Sequence, residues 1–541
     1  MMQEISGIIV DPVARRQFSG TLVIDQGRIV EILPDPAARG PFILPGLIDS
    51  HIHIESSMLT PAAFAKKAVC HGTVAVVADP HEIANVLGVA GIDFMIESGK
   101  QVPLKFYFGA PSCVPATAFE NSGAKLDARQ VAALLLRDDI FFLAEMMNFP
   151  GVIGHDPEVM AKLGAAAKMG KRVDGHAPGL QGEALAAYAQ AGISTDHESG
   201  NLAECYEKLA LGMKIMLRQG SSARDFEVLH PLITSHPGQC MLCSDDLKPA
   251  DLARGHINLL VKEGLSLGHN LFDLLQCGCV NPVRHYGLKV GLLQKGDWAD
   301  FIMVDDLASM EVSGTWIAGE MVSERGQALF AAAQPKPINQ FHAAPITAEQ
   351  LQVQARGARL KVISVTDGQI VTGCGFHPVP PGSTVVAADP ALDLLKILVQ
   401  NRYAPAPPAL GFVRGFGLKR GAMASSIAHD SHNLIAIGTN DTDLARAVNL
   451  MGESRGGICF VCGDEERMMA LPVAGLMGLG SCEEMARDYR GIELRVKENG
   501  CRLHTPFMTM AFLALPVIPA LKITDLGLFD GEKFELTDLF A

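Results

Sequence analysis

The sequence predicts an α/β fold organised around eight parallel strands. Three observations carry that expectation. Between residues 43 and 282, short apolar or β-branched runs alternate with amphipathic stretches, which is the rhythm of a parallel sheet covered by helices. The runs number eight over roughly 240 residues, matching a (β/α)8 TIM-like barrel in count and size. Side chains able to bind metal stand at the ends of five of those runs, where such a barrel gathers its active site. An open doubly wound sheet is the alternative, but no glycine-rich dinucleotide fingerprint follows the first run.

Taken in order, residues 1–42 read as short strands and turns, GIIVDP and then GTLVIDQGRIVEI. They are expected to be the N-terminal part of a small composite β-sandwich domain. The barrel, 43–282, follows with FILPGLIDSHIH, GTVAVVAD, LKFYFGAP, IFFLAEMM, RVDGHAP, GISTDHES, GMKIMLRQG and QCMLCSDD as its strands. PAAFAKKAVCH, DPEVMAKLGAAAKMG and GEALAAYAQAG are among the helices expected between them. Residues 283–335 return to the β style of the N-terminus, with GDWADFIMVDDL and EVSGTWIAGEMV, and are expected to complete the sandwich. A stretch rich in Ala, Pro and Gln then leads to an additional C-terminal α+β domain, 340–541.

The net charge of −14 argues against a nucleic-acid backbone or an anionic membrane as partner. No apolar run reaches membrane-spanning length, and MMQEISGIIVDP lacks the basic start and apolar core of an export signal. A cytoplasmic location is therefore expected. Twelve cysteines without such a signal favour reduced thiols. The pairs Cys240/Cys243 and Cys459/Cys462 lie in strand-like runs, where positions i and i+3 face opposite ways, so neither pair is expected to chelate one ion.

His51 and His53 are two residues apart on a strand, so both imidazoles face one side and can share an ion. Glu145 ends the almost wholly apolar IFFLA run, where an unpaired carboxylate would be costly to bury and a cation would remove that cost. His176 and His197 end runs five and six, and Asp245 ends run eight. Asp245, touching both a metal and its water, could accept a proton from that water. Its neighbour Asp246 reads as a helix N-cap or a supporting group. Asp174 and Asp196, just before the two histidines, read equally well as groups orienting an imidazole or as exposed strand-end acids. DPHEIANVLG is not H-E-x-x-H, since Asn85 replaces the second histidine. His81 and Glu82 are nevertheless expected at the barrel mouth, touching substrate, moving protons or holding another metal. HDSHN adds His429 and His432 from the last domain, either closing over the mouth or serving structure.

These motifs resemble the amidohydrolase superfamily. PGLIDSHIH, a Glu ending strand four, His ending strands five and six, and Asp ending strand eight follow its plan. More narrowly, HIHIESSMLTPAAFA, HGTVAVVADPHEIANVLG, APSCVPAT, GHAPGL, GISTDHES, VNPVRHYGL and GFGLKRGAMASSIAHDSHN resemble the bacterial adenine deaminases across nearly the whole chain. The resemblance implies a binuclear centre held by His51, His53, Glu145, His176, His197 and Asp245. Glu145 stands where many relatives carry a carboxylated lysine. The implied metal is Fe(II) or Mn(II), with Zn(II) also compatible, and no further cofactor is needed. The implied reaction is hydrolysis of the cyclic amidine of adenine to hypoxanthine and ammonia, a purine-salvage step, by a metal-bridging hydroxide attacking C6. Asp245 would take its proton, and His81 or Glu82 would protonate the ring nitrogen beside C6. Asp79, Ser112, Asp246, His429 and His432 are candidates for contact with the purine base, the expected small-molecule partner. A homo-oligomer, dimer or higher, is the expected assembly. The competing readings are another amidohydrolase acting on a related aminopurine or cyclic amide, and a non-enzymatic metal or purine binder.

Overall fold

The structure is a computed structural model and describes residues 2–541. Contacts divide it into two units. The first comprises the chain up to Pro80, Asp93–Ser112 and Asp127–Gln334; the second comprises His81–Ile92, Cys113–Leu126 and Pro335–Ala541.

In the first unit the two β-rich pieces from either side of the barrel share one eight-stranded sheet. Its strands are β1 (Gln3–Asp11), β2 (Arg16–Asp25), β3 (Arg28–Pro34) and β4 (Phe42–Pro45), then β13 (Phe301–Val304), β14 (Val312–Ile317), β15 (Glu320–Glu324) and β16 (Gln327–Ala328). The spatial order is β16-β15-β14-β13-β4-β1-β2-β3. The join is antiparallel pairing of β4 with β13, Phe301 opposite Pro45 and Met303 opposite Ile43. Alternating apolar residues bury one face, where Ile9, Leu22, Ile43, Phe301 and Trp316 pack together. Between β2 and β3, Gln26 and Gly27 both take positive φ, the turn that matches the twist of a tight hairpin. A Cβ on Gly27 would lie 2.6 Å from the carbonyl of Ala318, in the turn that follows Val312–Ile317, so the close approach of that turn also requires glycine.

The eight apolar runs form the barrel strands β5 (Leu47–Ile52), β6 (Thr73–Ala78), β7 (Lys105–Ala110), β8 (Phe142–Met146), β9 (Arg172–Gly175), β10 (Thr195–Asp196), β11 (Lys214–Arg218) and β12 (Cys240–Cys243). Neighbours pair in parallel from β5 to β9 and from β10 to β12. Parallel bridges between Val173 and Ile193 and between Ile52 and Asp245 close the circle. Strands buried on both faces have no polar side to alternate with, so β6 reads TVAVVA and is buried throughout. Three of the intervening helices begin at side-chain caps. Asp127 forms a capping box with Gln130, Asp156 caps Pro157–Lys168 and Asn201 caps Leu202–Ala210. Each cap takes up backbone N–H groups that the first helical turn leaves without a partner.

The second unit is built on another eight-stranded sheet. Its spatial order is Gly373–Pro378, Arg359–Ser364, Ala409–Arg414, Leu395–Gln400, Leu434–Gly438, Ala422–Ser425, Gly457–Cys462 and Glu465–Ala470. The helix Asp441–Ser454 lays Leu444, Ala447, Val448 and Met451 against it. DPHEIANVLG contributes the helix His81–Leu87 to this unit. Among the described residues no helix is long and apolar enough to cross a membrane. All twelve cysteines are free thiols, and Cys240, Cys243 and Cys459 are buried.

Candidate metal centre

The residues singled out on the barrel strands converge. His51 lies within β5 and His53 one residue beyond it, Glu145 near the end of β8, His176 just after β9, His197 just after β10, and Asp245 just after β12. His51 Nε2 and His53 Nε2 are 3.2 Å apart. Asp245 Oδ1 lies 3.5 Å from the first and 3.1 Å from the second. Glu145 sits between the histidines: Oε1 is 3.3 Å from His53 Nε2, and Oε2 is 2.8 Å from His176 Nδ1 and 3.2 Å from His197 Nε2. No side chain of this set is more than 9% exposed.

Local bonds fix these orientations. His53 Nδ1 donates to the Asp79 carbonyl at 3.2 Å, which leaves Nε2 as the lone-pair nitrogen facing the cluster. The Tyr188 hydroxyl donates to the Met146 carbonyl and accepts from the His176 backbone N–H, tying the ends of β8 and β9 together. The Asp245 N–H donates to the His51 carbonyl at 2.9 Å, so one of the closing bonds of the barrel is made by two of the converging residues themselves. Asp245 has φ of 56°, a left-handed conformation that aspartate tolerates better than most residues. Ser112 donates its hydroxyl to the Glu145 carbonyl. Below the cluster, Asp49 accepts from Ser244 and from His256 Nε2 and so locks β5 to the turn after β12.

The electrostatics are those of a cation site. Burial pushes the Glu145 carboxyl up, but His197 and His176 more than offset it and hold it well below its ordinary range. Asp245 is likewise pushed up by burial and held well below by His51, His53 and the Arg218 charge. Burial would lower the histidines, yet carboxylates raise His53 well above its ordinary value and His176 to about 9. Imidazoles that bind protons this strongly lie in a field that favours positive charge. The groups His51/His53/Asp245, His51/Glu145/His197 and His176/His197/Glu198 each bring their ligand atoms within 4.8 Å of one another. Nitrogen and carboxylate donors in such sets suit Fe(II), Mn(II) and Zn(II).

The profile of the amidohydrolase family matches residues 42–322, and that of the adenine deaminase C-terminal domain matches 369–535. The adenine deaminase of Methanosarcina acetivorans is 50% identical and both chains are covered in full. The chain belongs to the adenine deaminase family. The member from Parabacteroides distasonis is 46% identical over 99% of this chain and 98% of that one. The member from Borreliella burgdorferi is 42% identical over 99% of each.

Several sequence readings change against the structure of this family member. Asp174 and Asp196 are fully buried, which removes the exposed-acid reading. Asp174 instead accepts from Tyr286 and Thr195. Asp196 accepts from the Ala177 N–H, Ser199 and Lys208, so it holds backbone and loop around the histidines. Asp246 caps no helix, because Pro249–Leu252 starts from Lys248; it accepts from Ser56 Oγ. His81 and Glu82 open a helix of the second unit and meet His429 and His432 there.

Sequence reasoning passed over Arg218, Glu198 and Lys208. Arg218 ends β11, the same strand-end position that singled out the histidines. Its guanidinium donates to Asp245 Oδ2 at 2.9 Å, to both oxygens of Glu198, and to Asp225. Glu198 directly follows His197. Lys208 faces inward from the helix Leu202–Ala210.

Proposed function

We propose that this chain hydrolyses adenine to hypoxanthine and ammonia. The carrying observation is full-length identity of 42–50% to adenine deaminases, in a chain whose strand ends bring four histidines and two carboxylates together. His51, His53 and Asp245 are the proposed ligands of one divalent cation and His176 and His197 of a second, with Glu145 between the two. When bound, a pair of Fe(II) or Mn(II) ions supplies the Lewis acidity that ionises water near neutral pH. Zn(II) is compatible with the same donors.

The chain's own groups do the rest. Asp245 is the proposed base: Oδ1 faces the cluster while Arg218 occupies Oδ2, so one oxygen is presented and the other is fixed. It accepts the proton of the attacking water and passes it towards the amino group leaving C6. The burial of the cluster keeps bulk water from competing with the substrate. We attach the same domain plan to this reading: the barrel is catalytic, the sheet drawn from both of its ends flanks it, and 340–541 is a C-terminal domain of adenine-deaminase type. A homo-oligomeric, cytoplasmic purine-salvage enzyme is the setting proposed for it.

The test is ammonia release after reconstitution of the full chain with Mn(II) or Fe(II), using adenine, adenosine, guanine and a dihydropyrimidine. Adenine is expected to be the preferred substrate by at least about tenfold in kcat/KM, a difference of about 1.4 kcal/mol in transition-state binding. No ammonia from any purine would sink the reading. Chelation is expected to abolish turnover, and Mn(II) alone to restore it; turnover that survives complete metal removal would remove the cations from the reaction.

A further inference from the structure

The second unit holds its own convergence of imidazoles and carboxylates. His81 and Glu82 begin the helix His81–Leu87, and His429, Asp430 and His432 lie in the turn between Ala422–Ser425 and Leu434–Gly438. Glu82 Oε1 is 2.8 Å from His429 Nδ1, and Glu82 Oε2 meets His432 Nε2. His81 Nε2 is 3.7 Å from Glu82 Oε1 and 3.9 Å from Asp430 Oδ1. The side chains of all five are no more than 5% exposed.

From these contacts we propose that Glu82, His429 and His432, with His81 completing the set, bind a further divalent cation within the second unit. The 2.8 Å between Glu82 and His429 matches the barrel cluster, where imidazole nitrogens and carboxylate oxygens face one another across about 3 Å, and His81 stands less than 1 Å farther out. His81, Glu82 and Asp430 bring their ligand atoms within 4.8 Å of one another. The surroundings hold the donors in place. His429 stacks on Phe512 with ring centres 4.6 Å apart. Tyr403 donates to the Ser431 carbonyl, and Asn433 accepts from the Arg402 N–H and donates to the Asn121 carbonyl. His432 is itself held at φ of 54°, a conformation that costs a histidine free energy and persists only where its surroundings impose it. His432 Nδ1 is buried with no hydrogen-bond partner among the described residues, so no neighbour fixes this ring through its second nitrogen. The two carboxylates, removed from water, call for positive charge, and one divalent cation supplies it while also taking up the imidazole lone pairs. The donor set suits Mn(II), Fe(II) or Zn(II). A cation here commits the lone pairs of His81 and Glu82, the residues that sequence alone offered as proton donors.

Metal counting tests this without reference to turnover. The full chain, stripped by chelation, is titrated with Mn(II), desalted and analysed for bound metal. It is expected to bind one equivalent more than a His429→Ala/His432→Ala chain. Glu82→Gln, which keeps the shape of the side chain, is expected to lose the same equivalent and serves if the double variant fails to fold. A His51→Ala/His53→Ala chain is expected to keep that equivalent, which separates this site from the barrel cluster. Variants of Glu82, His429 and His432 that fold and bind as much Mn(II) as the parent would overturn the proposal.

Discussion

An Asp245→Asn chain is expected to lose about 100- to 10,000-fold in kcat, the range a positioned general base contributes, with little change in the KM for adenine. The structure makes this a clean substitution. Asparagine tolerates the left-handed conformation at φ of 56° as readily as aspartate does, so the turn after β12 is kept. The bridge from the Asp245 N–H to the His51 carbonyl is a backbone bond and survives. Arg218 loses one charged partner but retains Glu198 and Asp225, and an amide oxygen can still accept from it. What asparagine cannot do is take a proton. Bound Mn(II) is expected to persist, because four histidines and Glu145 remain, and the thermal midpoint is expected to move by only a few degrees. The decisive measurements are kcat and metal content on the same preparation. A kcat within about threefold of the parent would strip Asp245 of its role as base. Loss of metal in step with turnover would make it a ligand only.

The same residue shows how the sequence exposes the barrel. Each of the eight apolar runs became a strand because strands covered on both faces have no reason to alternate, and that pattern is local. His51, His53, Glu145, His176, His197 and Asp245 were legible because they interrupt or end those runs, where an ionisable group needs a reason to be. Arg218 ends β11 in the same way, but an arginine there reads as a solvated charge until Asp245, Glu198 and Asp225 are seen around it. Asp174 and Asp196 were ambiguous because burial is decided by loops distant in sequence. The segments 81–92 and 113–126 defeated the reading more fully: they leave the barrel's stretch of chain yet cluster with the second unit, and nothing local to them reports that. His81 and Glu82 therefore acquired His429 and His432 as partners across some 350 residues of sequence.

Lys208→Met is expected to destabilise the chain by about 3–5 kcal/mol, the cost of removing one partner from a buried ion network. In the sequence LAECYEKLA this lysine looks like a solvated helix charge, but it is fully buried. Its ammonium donates to Asp196 at 2.8 Å, Glu204 at 2.7 Å, the Ala177 carbonyl at 2.8 Å and Ser199 at 2.9 Å. Burial would lower its pKa, yet Asp196 and Glu204 raise it, so the charge is held. Methionine fills a similar volume but leaves two carboxylates with a lost cation and no water to replace it. The midpoint of thermal unfolding is expected to fall by roughly 10 °C, taking about 2–4 °C for each kcal/mol in domains of this size. The effect should reach the metal as well. Ala177 follows His176, and Asp196 precedes His197, so one ammonium pins both turns that present histidines to the cluster. Below its unfolding range the Lys208→Met chain is therefore expected to surrender Mn(II) to a chelator faster than the parent does, about 10-fold or more if it behaves like other losses of groups that orient ligands. A midpoint within about 2 °C of the parent would show that the network contributes little to stability. An unchanged rate of metal loss would confine Lys208 to the fold and leave the two histidines positioned by their strands alone.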